Sequence, residues 1–371
     1  MRILVLNRLD PLNQRAGGAE TFTGELAKRL VADGHSVVWF ASGRGEKKLG
    51  DEYFGCKIVR KGNVLTVLFW AMLYYLRKHK QFDLVIDEIH AYPFFTRFFV
   101  EKSKRLSLVH EVTGEIWYYM LPFPLANLGN LLEKIMYRYF YNDERFLVVS
   151  KSTKKELVAY GAKAEKIDIL SEGLSLSDEA PDVAKSTKPS LVFFGGMRPT
   201  KRVEHQLAAV KILKKEFPYL KLYILGKPEG RYYRGLVSIV HNLGLQESVE
   251  FTGFLNRSER DRLIKSSWLT LNSSVKEGWG LAVSEAGALG TPAVVYNTPG
   301  NIDSVLHLLT GLHTIENNPE RLALGIKKLL LDEQLREKLA KGAKLFASKL
   351  SWDKSYQQLK QVLSKYYQQN V

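Results

Sequence analysis

The chain has one cysteine in 371 residues, Cys56, so no disulfide can close within it, which fits a reducing compartment. It also lacks an uninterrupted apolar run of the roughly twenty residues that cross a bilayer. The longest candidate, residues 64–76, is about thirteen. No complete Gly-x-Gly-x-x-Gly follows a strand pattern, which argues against a dinucleotide site of the usual kind. Neither a nucleic-acid motif nor an arginine-rich tail accompanies the positive charge, so nucleic acid is not an expected partner. The opening Met1-Arg-Ile-Leu-Val-Leu is too short and too soon interrupted for a secretory leader. It is expected to be the first buried strand of an α/β domain.

What is present fits a globular chain of about two domains. Hydrophobic residues make up 45% and charged residues 25%, enough for a core in each. The formal net charge of +15 is large enough to choose partners, and an anionic membrane surface is the expected one. Residues 64–76, followed by Arg77-Lys78-His79-Lys80, form either a buried helix or an interfacial one. The Pro-broken aromatic segment from Gly114 to Leu125 reads as an apolar acceptor or membrane contact, with packing under the domain as the competing view. Arg97, Lys102, Lys104 and Arg105 stand just upstream of it.

Strands are expected at 3–7, 36–41, 83–87, 106–110, 146–150 and 167–173. A helix from Gly17-Gly18 to about Asp33 makes the first βαβ unit, with a glycine-rich crossover. A further helix is expected over 152–160, with Ser152 as its N-cap. Residues 174–189, rich in Ser, Asp, Ala, Pro and Lys, read as a linker. The pattern then restarts with a strand at 190–194, the loop Gly195-Gly-Met-Arg-Pro-Thr-Lys201, a helix over 203–217 and strands at 220–225 and 249–255. Strand carboxyl ends collect ligands in such sheets, and His110 falls at one.

The most informative stretch is 276–292, Lys-Glu-Gly-Trp-Gly-Leu-Ala-Val-Ser-Glu-Ala-Gly-Ala-Leu-Gly-Thr-Pro. A buried strand at 268–271 precedes it, and a helix over 281–289 is stopped by Gly290 and Pro292. Between them Gly278 and Gly280 bare the backbone N–H groups at a helix N-terminus, which suits a phosphate. Glu277 lies before the helix and Glu285 more than a turn inside it. Both carboxylates can flank one pocket and accept hydrogen bonds from sugar hydroxyls on either side of a diphosphate.

The whole pattern, Glu277-Gly-Trp-Gly-Leu-x3-Glu285-Ala-x-Ala-x-Gly-x-Pro, strongly resembles the Glu-x7-Glu signature of glycosyltransferase family 4, the group 1 enzymes with the GT-B fold. The resemblance covers nearly the whole chain, specifically in the second half and more loosely between 43 and 130. It implies an α/β architecture of two Rossmann-like βα domains facing across a cleft. The acceptor-side domain is 1–173, the linker 174–189, the donor domain 190–350, and 351–371 a C-terminal helix crossing back to the first domain.

The same resemblance implies retaining transfer of a hexose from a UDP-, GDP- or ADP-sugar to a hydroxyl of a lipid-linked or saccharide acceptor. Glycolipid, lipid-linked oligosaccharide or polysaccharide assembly is the implied setting, in the cytoplasm, with peripheral contact at the inner membrane face as a variant. Glu277 and His110 are the implied catalytic residues. Gly17, Gly18, Arg198, Lys201, Leu255, Gly278, Trp279, Gly280, Leu281 and Glu285 are the implied donor-binding set. The family commonly has Gly-Arg five residues before the lysine; this chain has Gly196 there, and Arg198 is the guanidinium nearby. No Asp-x-Asp occurs, so no metal and no cofactor beyond the donor are expected. Two rival readings remain: an epimerase or phosphorylase of the same architecture, and a non-catalytic nucleotide-sugar-binding protein.

Overall fold

The structure, a computed structural model, describes residues 1–43, 50–176 and 183–367. The expected linker is therefore described except for 177–182, and the last four residues of the expected C-terminal helix lie outside the described residues. The chain divides into two compact units. The first holds Met1–Gly173 together with the segment from Ser351 onward, and the second runs from Leu174 to Leu350.

The first unit is built on eight strands: β1 (Arg2–Leu6), β2 (Ser36–Ala41), β3 (Glu52–Tyr53), β4 (Cys56–Arg60), β5 (Leu84–Ile89), β6 (Arg105–Val109), β7 (Phe146–Val148) and β8 (Ile167–Ile169). Their order across the sheet is β3-β4-β2-β1-β5-β6-β7-β8, all parallel except β3, which turns back antiparallel on β4. Ile3, Leu4, Val5 and Leu6 are all buried, as a central parallel strand covered on both faces requires. Strand β1 therefore sits between β2 and β5, where the winding direction reverses. Cys56 is buried on β4, and burial pushes its thiol up to about 12.

The helix Trp352–Tyr367 packs within this first unit. Tyr356 Oη donates to Asp33 at 2.8 Å, Arg29 pairs with Asp353 at 2.8 Å, and the Ser171 amide donates to Gln358 at 2.8 Å. Gly173 lies against the Trp352 indole so closely that a Cβ there would meet it at 2.3 Å.

The second unit carries β9 (Ser190–Phe194), β10 (Lys221–Leu225), β11 (Val249–Gly253), β12 (Leu269–Asn272), β13 (Ala293–Val295) and β14 (Gly311–His313). All are parallel, in the order β11-β10-β9-β12-β13-β14. This is the doubly wound order of nucleotide-binding sheets, with its switch point between β9 and β12.

Two local expectations are corrected. The helix near 152 is Lys151–Ala159, and its N-cap is Ser150, whose extended backbone lets Oγ accept from the Thr153 amide at 3.1 Å. The helix expected to reach 217 is Val203–Leu213, because Pro218 disfavours helical backbone in the residue before it and the chain leaves through turns. Among the described residues no helix is long and apolar enough to cross a membrane.

Candidate active site

In the second unit the loops after β9 and β12 meet at the switch point. The Val275 amide donates to the Thr200 carbonyl at 2.9 Å, and Ser273 Oγ lies 2.9 Å from the carbonyls of both Lys201 and Arg202. These contacts bring Lys201 and Glu277, 76 residues apart in sequence, to one point. Lys201 Nζ donates to both carboxylate oxygens of Glu277, at 2.6 and 2.8 Å. Ser274 Oγ and Asn272 Nδ2 donate to the same carboxylate at 2.6 and 3.1 Å. Burial alone would raise the Glu277 pKa, but the Lys201 charge and these donors hold it below the ordinary value. Glu277 is thus an ionised carboxylate locked in place, and its own amide donates to the Pro299 carbonyl at 3.0 Å.

Gly280 has φ +93°, and a Cβ there would sit 2.7 Å from Ser304 Oγ. Only glycine fits this turn into the helix Leu281–Ala288. The turn leaves the Leu281 and Ala282 amides without helical partners, the arrangement that binds anions. The Trp279 side chain is turned into the unit's own packing. Its Nε1 donates to Ser284 Oγ at 3.0 Å, and its ring stacks on Phe346. Trp279 and Gly278 therefore offer a ligand backbone rather than side chains.

Glu285, on the helix, meets Arg260 Nη1 at 3.0 Å. Burial pushes its carboxyl up to about 7, with the Arg260 charge pulling the other way. Leu255, just past β11, packs its side chain beside Val192, Phe194, Leu225, Ile264 and Ala286, so its backbone is the part left for a ligand. Arg198 is exposed. A Cβ at Gly196 would lie 3.4 Å from Arg198 Nε, so the guanidinium lies over the bare backbone of Gly196.

The remaining predicted residues belong to the first unit. Gly17 and Gly18 open the helix Gly18–Ala32, and the Gly17 amide donates to the buried Glu20 carboxylate at 2.7 Å. His110 follows β6, and its Nε2 donates to Glu88 Oε1 at 3.1 Å. His90 Nε2 donates to the same oxygen at 3.2 Å, and the two imidazoles lie nearly parallel with centroids 6.0 Å apart. Glu88 is fully buried. That burial would raise its pKa, yet the hydrogen bonds of His110 and His90 hold it well below the ordinary range. Burial lowers and Glu88 raises the His90 pKa, and Glu88 prevails. Phe22 meets the His110 ring edge-on at 5.3 Å, and Thr153 Oγ1 donates to the His110 carbonyl at 3.0 Å. His110 is thus a fixed, buried imidazole at a strand end.

The structure adds Asn272, Ser274 and Arg260 to the second unit's site, and Glu88 and His90 to the first unit's. For the latter pair a signal was present: three ionisable residues, Asp87, Glu88 and His90, crowd the carboxyl end of the apolar strand β5. Arg260 gives none, since it sits on the helix Arg257–Ser266 among other charges and acts only through tertiary contact. Among the described residues no three His, Cys, Asp or Glu side chains converge to hold a metal.

Residues 177–346 match the family model of glycosyl transferases group 1, and residues 16–178 that of Glycosyltransferase Family 4. An uncharacterised glycosyltransferase of Methanocaldococcus jannaschii is 26% identical over 368 residues, 91% of each chain. Sucrose-phosphate synthase from Thermosynechococcus elongatus has the same fold, with TM-score 0.80 at 18% identity over 98% of both chains. HepE of Anabaena, solved in complex with UDP and glucose, gives TM-score 0.76 at 18% identity over 98% of this chain and 100% of that one.

Proposed function

Because this chain belongs to the group 1 glycosyl transferases of family 4, with the GT-B fold, we propose that it moves a hexose from a nucleoside diphosphate sugar to an acceptor hydroxyl with retention of anomeric configuration. The observation that carries the reading is the Lys201–Glu277 pair beside the open helix N-terminus at the β9/β12 switch point. A cation and free amides suit the diphosphate, and a fixed carboxylate suits the hydroxyls of the sugar.

In this reading the base lies against the backbone at Leu255, the ribose hydroxyls on Glu285, and the diphosphate on Lys201 and the amides of Gly278 to Leu281. As the C1–O bond lengthens toward an oxocarbenium ion, negative charge grows on the leaving diphosphate. Lys201, the helix N-terminus and Arg198 stabilise that charge. Glu277 holds the sugar, and His110 keeps the catalytic role that the family resemblance implies. The acceptor attacks the face the diphosphate leaves, and a phosphate oxygen takes its proton, so no side chain need become a covalent nucleophile. Lys201 and the amides supply the positive charge that a metal gives elsewhere, which is why we expect metal-independent transfer.

UDP-glucose is the first donor to try, since HepE is solved with it. The acceptor we favour is amphiphilic and met at a membrane surface in the cytoplasm. That view is supported by the net charge and by the exposed Tyr118, Met120 and Phe123 of the aromatic segment. Calorimetry with UDP-, GDP- and ADP-glucose tests the donor half. One of them should bind and be turned over in the presence of excess EDTA. If none binds, the transferase reading fails; if turnover stops in EDTA and returns with manganese, the metal-independent version fails.

A further inference from the structure

Arg8 stands at the carboxyl end of β1, beside the first unit's own switch point, where doubly wound sheets collect ligands. Its guanidinium lies over the Tyr92 ring, 3.6 Å from the centroid, and Nη2 donates to the His90 and Tyr92 carbonyls. Its Nε is buried with no partner, and no carboxylate among the described residues pairs with it. Arg8 is half-buried with its Nε shut off from water, so part of its hydration is lost without a counter-charge among the described residues, and an anionic ligand there would offset that loss. The other face of the feature is apolar. Tyr92 also lines a cavity of about 380 Å³ whose wall includes Phe95, Phe98, Trp117, Met136 and Phe140. That volume lies within the roughly 300–1,000 Å³ of small-molecule sites. The one carboxylate in the wall, Glu133, is occupied by the amides of Thr113 and Gly114 and by Trp117 Nε1, at 2.8 to 2.9 Å. Phe98 and Leu132 line the cavity and are 65% and 54% exposed, so it opens to solvent.

We propose that the first unit binds an anionic amphiphile, its phosphate on Arg8 and its hydrocarbon chain in the cavity behind Tyr92. This defines the acceptor class and rests on the transferase reading above. Tyr92 joins the two halves: its ring carries the Arg8 guanidinium, and the same residue lines the apolar cavity. His90, two residues before Tyr92, shares Glu88 with His110, so the bound head group lies next to that imidazole.

Calorimetry with soluble probes below their micelle concentrations tests this, using decyl phosphate, methyl phosphate and the uncharged decyl tetra(ethylene glycol) ether. Decyl phosphate should bind one per chain, at least about tenfold tighter than either partial probe. Arg8→Gln should cost decyl phosphate about tenfold or more, as expected for a lost charged hydrogen bond, and leave the uncharged ether unchanged. Phe98→Gln and Leu132→Gln, at exposed positions, should weaken both chain probes. Decyl phosphate brominated at the chain end should quench Trp117 fluorescence, and Trp117→Phe should abolish that quench; this localises the chain even if Arg8→Gln does not fold. Equal binding of the three probes, no Trp117 quench, or unchanged decyl phosphate binding in a folded Arg8→Gln variant overturns the proposal. Binding only to phosphatidylglycerol vesicles also overturns it, assigning the face to a bilayer. Calorimetry with UDP-, GDP- and ADP-glucose on the same samples separates the failures. Donor binding without decyl phosphate binding removes this inference alone, and absence of both removes the transferase reading as well.

Discussion

Glu277 and Glu285 flank the same helix start but lie in opposite electrostatic surroundings. Glu277 is held ionised against burial by Lys201, Ser274 and Asn272. Glu285 has the Arg260 guanidinium at 3.0 Å and the Arg257 charge to set against burial, yet burial prevails and its carboxyl is pushed up to about 7. If it accepts the ribose hydroxyls, the bound donor favours the ionised form, so binding releases a proton below that value. UDP-glucose affinity should then fall as pH drops through about 7, by at most about tenfold per unit, and Glu285→Gln should flatten the profile. Stability of the free protein should move the other way. A carboxyl whose folded value is raised contributes stability below its unfolded value, and that contribution is lost as pH rises through about 7. Glu285→Ala should weaken donor binding at least about tenfold, as charged hydrogen bonds of roughly 1.5–3 kcal/mol imply. A pH-independent calorimetric affinity, or a folded Glu285→Ala variant with unchanged affinity, removes the ribose role.

The loops at the second unit's switch point hold their shape through close backbone approach. Gly300 has φ +80°, and a Cβ there would lie 2.2 Å from the Glu277 carbonyl oxygen. Gly300→Ala must therefore push the Glu277 backbone aside. It should lower stability by more than the roughly 1–2 kcal/mol of left-handed backbone alone and reduce kcat/KM. Gly235→Ala is the contrast, inside the helix Gly230–Asn242 with open space around it. It should raise stability by about 0.5–1 kcal/mol and leave kcat/KM unchanged. Thermal melts and steady-state rates on the two variants check both. The same elements show what the sequence carries openly. The central strands are legible because Ile3 to Leu6 and Leu191 to Phe194 are apolar runs buried on both faces. The glycine loop before Leu281 is legible because few other residues could make that turn. Strand β4 escaped because Cys56-Lys-Ile-Val-Arg is short and lies near the sheet edge, where alternation is weak evidence. Two nearby serines, Ser150 and Ser152, made the cap ambiguous, since only backbone geometry distinguishes them. Arg8 and Arg260 were hidden because their partners are remote in sequence or set by packing, and pattern alone does not supply tertiary distance.

At the scale of the whole molecule, the net charge of +15 and the exposed apolar residues of the first unit belong together. The helix Leu125–Ile135 is inside out: Glu133 is buried while Leu125, Leu128, Leu131 and Leu132 are each at least half exposed. Exposed leucines on one helical face are unfavourable in water, and a lipid surface would cover them. The helix Val67–Lys78 buries Val67, Ala71 and Tyr75 yet leaves Phe69 and Leu76 exposed, so one face packs on the first unit and apolar side chains remain on the other. Arg77, Lys78 and Lys80 close that segment with basic groups, each worth about 1 kcal/mol against anionic lipid. If the protein meets such a surface, together they would hold it reversibly, and inserted leucines would add a part that salt does not screen. Co-sedimentation with vesicles should therefore require anionic lipid and fall, but not vanish, with added salt. Changing Arg77, Lys78 and Lys80 to Ser should remove the salt-sensitive part, and Leu128→Gln with Leu131→Gln the salt-resistant part. UDP-glucose affinity should not change in either variant, because those residues belong to the other unit. If the wild-type protein stays in the supernatant with anionic vesicles at low salt, the membrane reading fails and a water-soluble acceptor takes its place.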